Sequence, residues 1–228
     1  MSRERVLVWD GCVNVRDLGG LPLEGGGETR FGVVVRADSI AGLTAGGWNA
    51  LQDYGVRRAV DLRGDHELEP TVDPPIPVTR IPITPVSGPG WEWPSMLEAY
   101  LAVLEDFRPQ FTAVVDALAG AEPPVLVHCQ GGRDRTGLVT ALLLSAAGVD
   151  AQTVAMDHAL SDESWAPYNI AWFEEAPDEA EGARRRRIAR PAAGTMSDVL
   201  AEVERQYGGP AGYLRTPSLD TIVLRLRG

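Results

Sequence analysis

Histidine and cysteine are scarce in this chain, three of one and two of the other in 228 residues. Two cysteines make no disulfide framework in a chain this long, and the histidines show no metal-ligand spacing, so neither a metal nor any other cofactor is expected. Positive charge is also in deficit: 21 Lys and Arg stand against 32 Asp and Glu, a net charge of -11 with a pI near 4.7. That balance argues against nucleic acid as a partner, because a phosphate backbone rewards a basic face. An anionic substrate has to be captured by a local positive site. Long apolar runs are missing too. Val6-Leu7-Val8-Trp9 is too short for a signal peptide, and residues 137–149 fall short of a bilayer span. No stable membrane insertion is expected. A reduced nucleophilic cysteine makes the cytoplasm the default compartment, although export without a signal peptide is compatible with the same residues.

What is present describes a globular protein, with 44% hydrophobic residues, 23% charged residues and six tryptophans. A single domain over residues 1–228 is expected, without repeats or a second catalytic module. Extended stretches are expected at Val6 to Trp9, Cys12 to Val15, Gly32 to Arg36, Arg58 to Leu62, Val78 to Ile83 and Val125 to His128. Helical three-and-four spacing marks Leu97 to Phe107, Phe111 to Leu118, Met196 to Tyr207 and Leu219 to Leu226. A capped helix is expected from Thr44 to Asp53 and another from Asp150 to about Leu160, with Ser161 to Glu175 helical in parts and interrupted near Pro167. Strands alternating with helices imply an α/β fold with a central, mostly parallel sheet flanked by helices. Thr84 to Pro94, with Trp91 and Trp93, reads as a surface loop and a candidate flap. Residues 176–194, which include Arg184 to Arg187, read as a mobile linker or solvated helix before two docking helices. A face for anionic lipid is the alternative for that arginine run.

The chemistry concentrates in Val125-Leu126-Val127-His128-Cys129-Gln130-Gly131-Gly132-Arg133-Asp134-Arg135-Thr136-Gly137. An apolar strand empties into a glycine-containing loop, which enters an apolar helix near Arg135 or Thr136. Five residues between Cys129 and Arg135 are enough to curl the backbone so that successive N–H groups face inward as an anion cradle. The helix N-terminus adds its unpaired N–H groups and positive dipole end, favouring a bound phosphate and an ionised thiol. Arg135 can grip two phosphate oxygens in a planar fork.

His128-Cys129, five residues, then Arg135-Thr136-Gly137 resembles the signature of the cysteine-dependent protein tyrosine phosphatases. With Gly132, a basic residue at 133 and Asp134, it is similar to a bacterial branch that includes secreted mycobacterial tyrosine phosphatases and tyrosine/lipid phosphatases. Asn14-Val15-Arg16-Asp17-Leu18-Gly19-Gly20 and Asp61-Leu62-Arg63 resemble further segments of that branch. The resemblance implies a phosphatase-like α/β fold and hydrolysis of a phosphomonoester through a cysteinyl-phosphate. Cys129 would be the nucleophile, and the loop from Gln130, Gly131, Gly132 and Arg133 to Arg135 would bind phosphate. His128, Thr136, Arg16, Asp17, Asp61 and Arg63 would support it. No Trp-Pro-Asp loop of the larger family members is visible, and the branch implicates Asp134 as general acid, with Asp61 or another pocket carboxylate as the alternative.

Arg133 replaces the lysine usual in that branch, and Gly131 its usual alanine. A second cation beside Arg135 would suit an extra phosphate, so phosphotyrosine-type proteins, small phosphomonoesters and phosphoinositides all stand as substrates. Cys12 reads as a buried apolar residue rather than a redox partner of Cys129, and His158 as structural. Two competing classes share part of the pattern. A rhodanese-like sulfurtransferase uses a loop cysteine but a shorter loop, and a catalytically dead phosphate-binding module would keep the cradle without turnover.

Overall fold

The fold is described from a computed structural model over residues 4–68, 73–84, 94–189 and 194–228. Its frame is a five-stranded sheet formed by β1 (Arg16–Asp17), β2 (Val34–Ala37), β3 (Ala59–Asp61), β4 (Val78–Arg80) and β5 (Val125–His128), in the order β1-β2-β5-β3-β4. The β1 edge is antiparallel to β2, and the other pairings are parallel. The central β5 is last in sequence, and its register aligns Ala37, His128 and Asp61 side by side. The three strands therefore end level, and the loops that follow them open on one edge of the sheet, where ligands gather in parallel α/β folds.

Side-chain alternation divides the core into two layers. Val35, Ala37, Ala59 and Leu126 face one side, packing with Trp9, Val15 and Leu51. Leu51 belongs to α1 (Ala45–Tyr54), which starts where Thr44 Oγ1 accepts from the Gly47 N–H at 3.2 Å and ends at left-handed Gly55. Glycine is required at 47 because a Cβ there would come within 2.1 Å of the Asp10 carbonyl oxygen. Val34, Val60, Leu62, Val125 and Val127 face the other side. They meet the helices α2 (Met96–Asp106), α3 (Arg108–Ala119) and α4 (Asp134–Ala147). The α4 helix is apolar nearly all round because it is buried between the sheet and its neighbours.

The chain closes with α5 (Ala151–Glu174), α6 (Glu179–Ile188), α7 (Thr195–Tyr207), α8 (Pro210–Leu214) and α9 (Ser218–Arg227). Met196, Val199, Leu200 and Val203 of α7 and Leu219, Ile222 and Leu226 of α9 join the main core. At about 1.5–3 kcal/mol per buried side chain, that face stabilises helices too short to persist alone.

Several expectations change. The Cys12 to Val15 stretch forms no strand, because the Val13 and Asn14 N–H groups donate to the Asp38 carboxylate instead of a ladder. Val6 contributes only an isolated bridge to Arg16. The β4 strand stops at Arg80, short of Ile83. Pro167 does not interrupt α5: its ring is exposed, so the lost hydrogen bond and the crowding of the preceding turn fall on the solvent side. For residues 176–194 the expectation of a mobile linker or solvated helix stands in its second form, since residues 179–188 form the largely exposed α6. Arg184 and Arg185 pair with Glu181 one turn earlier, and Arg185 also lies over the Trp172 ring. The short α8, opened by Pro210, is unanticipated. Residues 85–93 of the expected flap lie outside the described residues.

Candidate active site

The level ends of β2, β5 and β3 bring three segments together, residues 37–39, 128–135 and 61–67. The loop between β5 and α4 is held by its carbonyl oxygens. Gln130 O accepts from the Ser39 N–H at 3.0 Å, and Gly131 O from Asn14 Nδ2 at 3.0 Å and Trp165 Nε1 at 2.7 Å. Gly132 O accepts from Arg36 Nη2 at 2.7 Å, and Arg133 O from the Gly137 N–H at 2.8 Å. Four consecutive carbonyls thus point into the protein. The N–H of a trans peptide points opposite its C=O, so the amides of residues 131 to 134 turn the other way, into the concave side of the loop. Gly132 sits at φ +64°, and a Cβ there would strike Ala37 O at 2.5 Å, so the second glycine is a steric necessity. At Gly131 a Cβ would meet nothing closer than Trp165 Nε1 at 3.8 Å, leaving room for alanine.

Cys129 lies at the floor of this loop and is 2% exposed. Arg135, the second residue of α4, is gripped by Glu67, with 2.6 Å from Nη1 to Oε2 and from Nη2 to Oε1. Its Nη1 also reaches Ile83 O at 3.2 Å. Burial opposes charge on both partners, yet the pairing prevails, holding the Glu67 carboxyl below its usual range and raising Arg135 further.

His128 is fully buried, and burial, against the pull of Asp61, brings its pKa down to about 4, so the imidazole is neutral. Its Nδ1 stands 3.8 Å from Asp61 Oδ1 and 3.4 Å from Cys129 O. Asp61 in turn holds Arg63 through Nε and Nη2, and Arg63 Nη1 donates to Ser39 Oγ at 2.8 Å. The buried Thr136 hydroxyl makes no hydrogen bond among the described residues. Gly137 is required because a Cβ would lie 2.6 Å from His158 Nδ1, where α4 and α5 cross.

Behind the loop is a buried cluster of charge. Asp157 on α5 receives Arg5 Nη2 at 2.5 Å, Arg16 Nε at 3.1 Å and Arg36 Nη1 at 3.0 Å. Burial would favour a protonated Asp157, but the three guanidinium groups override it and hold the carboxyl far below its ordinary range. Burial and then repulsion by Arg16 bring Arg36 down to about 9, still charged at neutral pH. One carboxylate among three cations leaves an excess of positive charge behind the loop, which is the local capture site that an acidic protein needs for an anion.

Asp134 caps the rim. Its Oδ1 accepts from the Tyr100 hydroxyl at 2.6 Å and from Arg133 Nε at 3.1 Å, while 43% of its side chain stays exposed. Burial acts to raise its pKa, but Arg133 and the Tyr100 hydrogen bond prevail and hold the carboxyl below its usual range.

Most residues singled out from the sequence converge here: Cys129, the Gln130 to Asp134 stretch, Arg135, His128, Thr136, Asp61 and Arg63. Arg16 reaches the loop through Asn14, whose Oδ1 accepts from Arg16 Nη1 at 2.6 Å and whose Nδ2 donates to Gly131 O, and it also pairs with Asp157 behind the loop. Asp17 does not reach it, because its carboxylate accepts from the Gly19 and Gly32 N–H groups at 2.6 and 2.8 Å and from the Tyr54 hydroxyl at 2.5 Å, which makes it a turn-holding residue. Cys12 is half-buried rather than buried; it donates to Ser39 O at 3.5 Å, and burial together with Asp38 pushes its thiol pKa up, away from the thiolate form. Glu67, Arg36, Asp157, Tyr100, Trp165 and Asp162 were not anticipated. A charged Arg36 inside the apolar Val34-Val35-Arg36-Ala37 run, and Asp157 at helical spacing from Thr153 and Ser161, were the available signals. Among the described residues no group of His, Cys, Asp and Glu is placed to hold a metal, and no helix is long and apolar enough to cross a membrane.

Comparison with known proteins adds to this geometry. A model of the tyrosine phosphatase family matches residues 7–223. A tyrosine-protein phosphatase of Nostoc commune is 30% identical over 204 residues, covering 80% of this chain and 68% of that protein. A Cupriavidus necator protein provisionally named a tyrosine-protein phosphatase is 28% identical over 239 residues, covering 97% of this chain and 87% of its own length. The triple specificity protein phosphatase PtpB of Mycobacterium tuberculosis is 32% identical over 127 residues, half of this chain and 46% of that one.

Proposed function

We infer, from the fact that this chain belongs to the tyrosine phosphatase family and from the geometry of its loop, that it is a phosphoric monoester hydrolase acting on phosphotyrosine-type substrates through a cysteinyl-phosphate. The observation that carries this is the tethering of four consecutive loop carbonyls into the protein, away from the concave side of the loop, around a buried Cys129 and beside a fixed Arg135. That arrangement turns a run of amide N–H groups toward one point, where the three non-bridging oxygens of a phosphoryl group fit.

In the first step the Cys129 thiolate attacks phosphorus in line, the S–P bond forms as the bond to the leaving oxygen breaks, and Asp134 gives that oxygen a proton. The loop amides and Arg135 stabilise the equatorial oxygens. In the second step water attacks phosphorus, Asp134 takes its proton, and the S–P bond breaks to return the thiolate and release orthophosphate. The Thr136 hydroxyl, buried without a partner among the described residues, is available to the departing sulfur. Neutral His128, wedged between Asp61 and the Cys129 carbonyl, keeps the strand end in place. No step asks for a cofactor, and a reducing compartment suits a free thiol.

The whole chain acts as one phosphatase domain in this reading. Intact Cys129, Asp134 and Arg135 weigh against an inactive phosphate-binding module, and a loop suited to three phosphoryl oxygens weighs against a sulfurtransferase. Dual-specificity and phosphoinositide readings share every step at phosphorus and differ only in the leaving group. The test is release of phosphate from an aryl phosphate, a phosphotyrosine peptide and a phosphoinositide, with Cys129→Ser alongside. Vanadate-sensitive release that disappears in the variant is expected. Activity that survives Cys129→Ser, or none on any of the three substrates, overturns the assignment.

A further inference from the structure

Arg133 is the loop's second cation and the natural place for a second phosphate to dock beside Arg135. The structure shows it occupied. Its side chain is 9% exposed, its Nε lies 3.1 Å from Asp134 Oδ1, and its Nη1 lies 3.4 Å from Asp162 Oδ1. Asp162 is on α5, one residue after Ser161, which accepts from Arg16 and Arg36 behind the loop. The helix that supplies Asp157 to the buried charge cluster thus also supplies a carboxylate to the rim. Trp165, nearly one turn further on, donates to Gly131 O at 2.7 Å and fixes that part of α5 against the loop.

Arg133 with Asp134 and Asp162 is one cation between two carboxylates, a local charge of minus one. Two other guanidinium groups beside the loop are matched one to one: Arg135 by Glu67 and Arg63 by Asp61. A first phosphate finds the loop amides and Arg135. A second phosphate on a neighbouring carbon would meet an Arg133 already paired with Asp162 and the Asp162 carboxylate itself, and like charges brought this close repel strongly away from bulk water.

We propose that Asp162 is a specificity-determining residue that restricts the site to substrates with a single phosphate, by occupying the loop cation a vicinal second phosphate would need. The proposal rests on the phosphatase reading, and it places an aryl monophosphate such as phosphotyrosine ahead of a vicinal inositol bisphosphate. Asp162 does not touch the reacting atoms. Its effect is on the charge state of the rim, so a conservative replacement that keeps the carboxylate keeps the selectivity.

Binding is measured by calorimetry in a Cys129→Ser background, where turnover cannot interfere, with inositol monophosphate and a vicinal inositol bisphosphate as probes. The unsubstituted rim is expected to bind the bisphosphate no more than about threefold more tightly than the monophosphate, whereas Asp162→Asn tightens the bisphosphate about tenfold and moves the monophosphate less than about twofold. Asp162→Glu should match the unsubstituted rim. A bisphosphate already at least about tenfold tighter without substitution, an affinity ratio unmoved by Asp162→Asn, or a Glu variant that behaves like Asn, overturns the proposal. Aryl phosphate hydrolysis by the unmodified protein is assayed separately. Its absence defeats the phosphatase reading, whereas its presence with an unmoved binding ratio defeats only the role of Asp162.

Discussion

Asp134 faces two opposed demands. In the free site Arg133 and Tyr100 hold it as a carboxylate below its usual pKa, but a proton donor must carry its proton when the leaving oxygen departs. A phosphate dianion in the loop supplies the missing push, because a second negative charge nearby raises a carboxyl pKa. Asp61, the other carboxylate in reach of the loop, is only 3% exposed and is committed to Arg63, so it is badly placed to meet a leaving group. Asp134→Asn should therefore lower kcat on phenyl phosphate by about 10²–10⁴ and abolish the fall in rate on the basic side of the pH profile. A basic limb that survives the substitution assigns the proton to another group. At this scale the sequence was readable where residues sit next to one another. Cys129, Asp134 and Arg135 share one motif, whereas Glu67 reaches Arg135 across 68 positions in sequence, a distance only the sheet register closes.

The α5 helix does more than cover the sheet. Asp157 and Ser161 lie on the face that meets Arg16 and Arg36, and the next turn reaches the loop through Asp162 and Trp165. Removing the charge of Asp157 strands three guanidinium groups without their carboxylate, two of them almost wholly buried. Asp157→Asn should cost about 3–5 kcal/mol of unfolding free energy in a denaturant titration. A loss under about 1 kcal/mol would mean that the arginines find another counter-ion. The ends of this helix show what periodicity can and cannot reveal. The Asp150 cap was legible because a side chain and an N–H three residues apart suffice. The run through Pro167 was not, because whether a proline breaks a helix depends on which side the lost bond faces. β5 and α4 were readable from apolar runs bounded by Pro124 and Gly148. β1 was not, since its two residues pair only because β2 offers an edge.

The molecule as a whole joins an acidic surface to a positive pocket, and it buries two histidines in neutral form. His128 and His158 are brought by burial to about 4 and about 3, against about 6.5 in the unfolded chain. The unfolded state takes up these protons first, so their contribution is complete above about pH 6.5 and is lost as pH falls toward the folded values, by roughly 1.4 kcal/mol per pH unit for each histidine. Unfolding free energy measured from pH 7 to 5 should fall with a slope approaching two protons, before carboxylates with lowered pKa begin to contribute. A flat profile in that window would contradict the buried neutral imidazoles.

The central claim, that this fold positions Cys129 as a phosphoryl acceptor, is tested most directly by acid-quenching the protein during turnover of an aryl phosphate and mapping the modification by mass spectrometry. One phosphoryl group on the sulfur of Cys129, formed before steady state and absent from Cys129→Ser, is the expected result. Steady phosphate release with no phosphocysteine, or release undiminished in the serine variant, would contradict it.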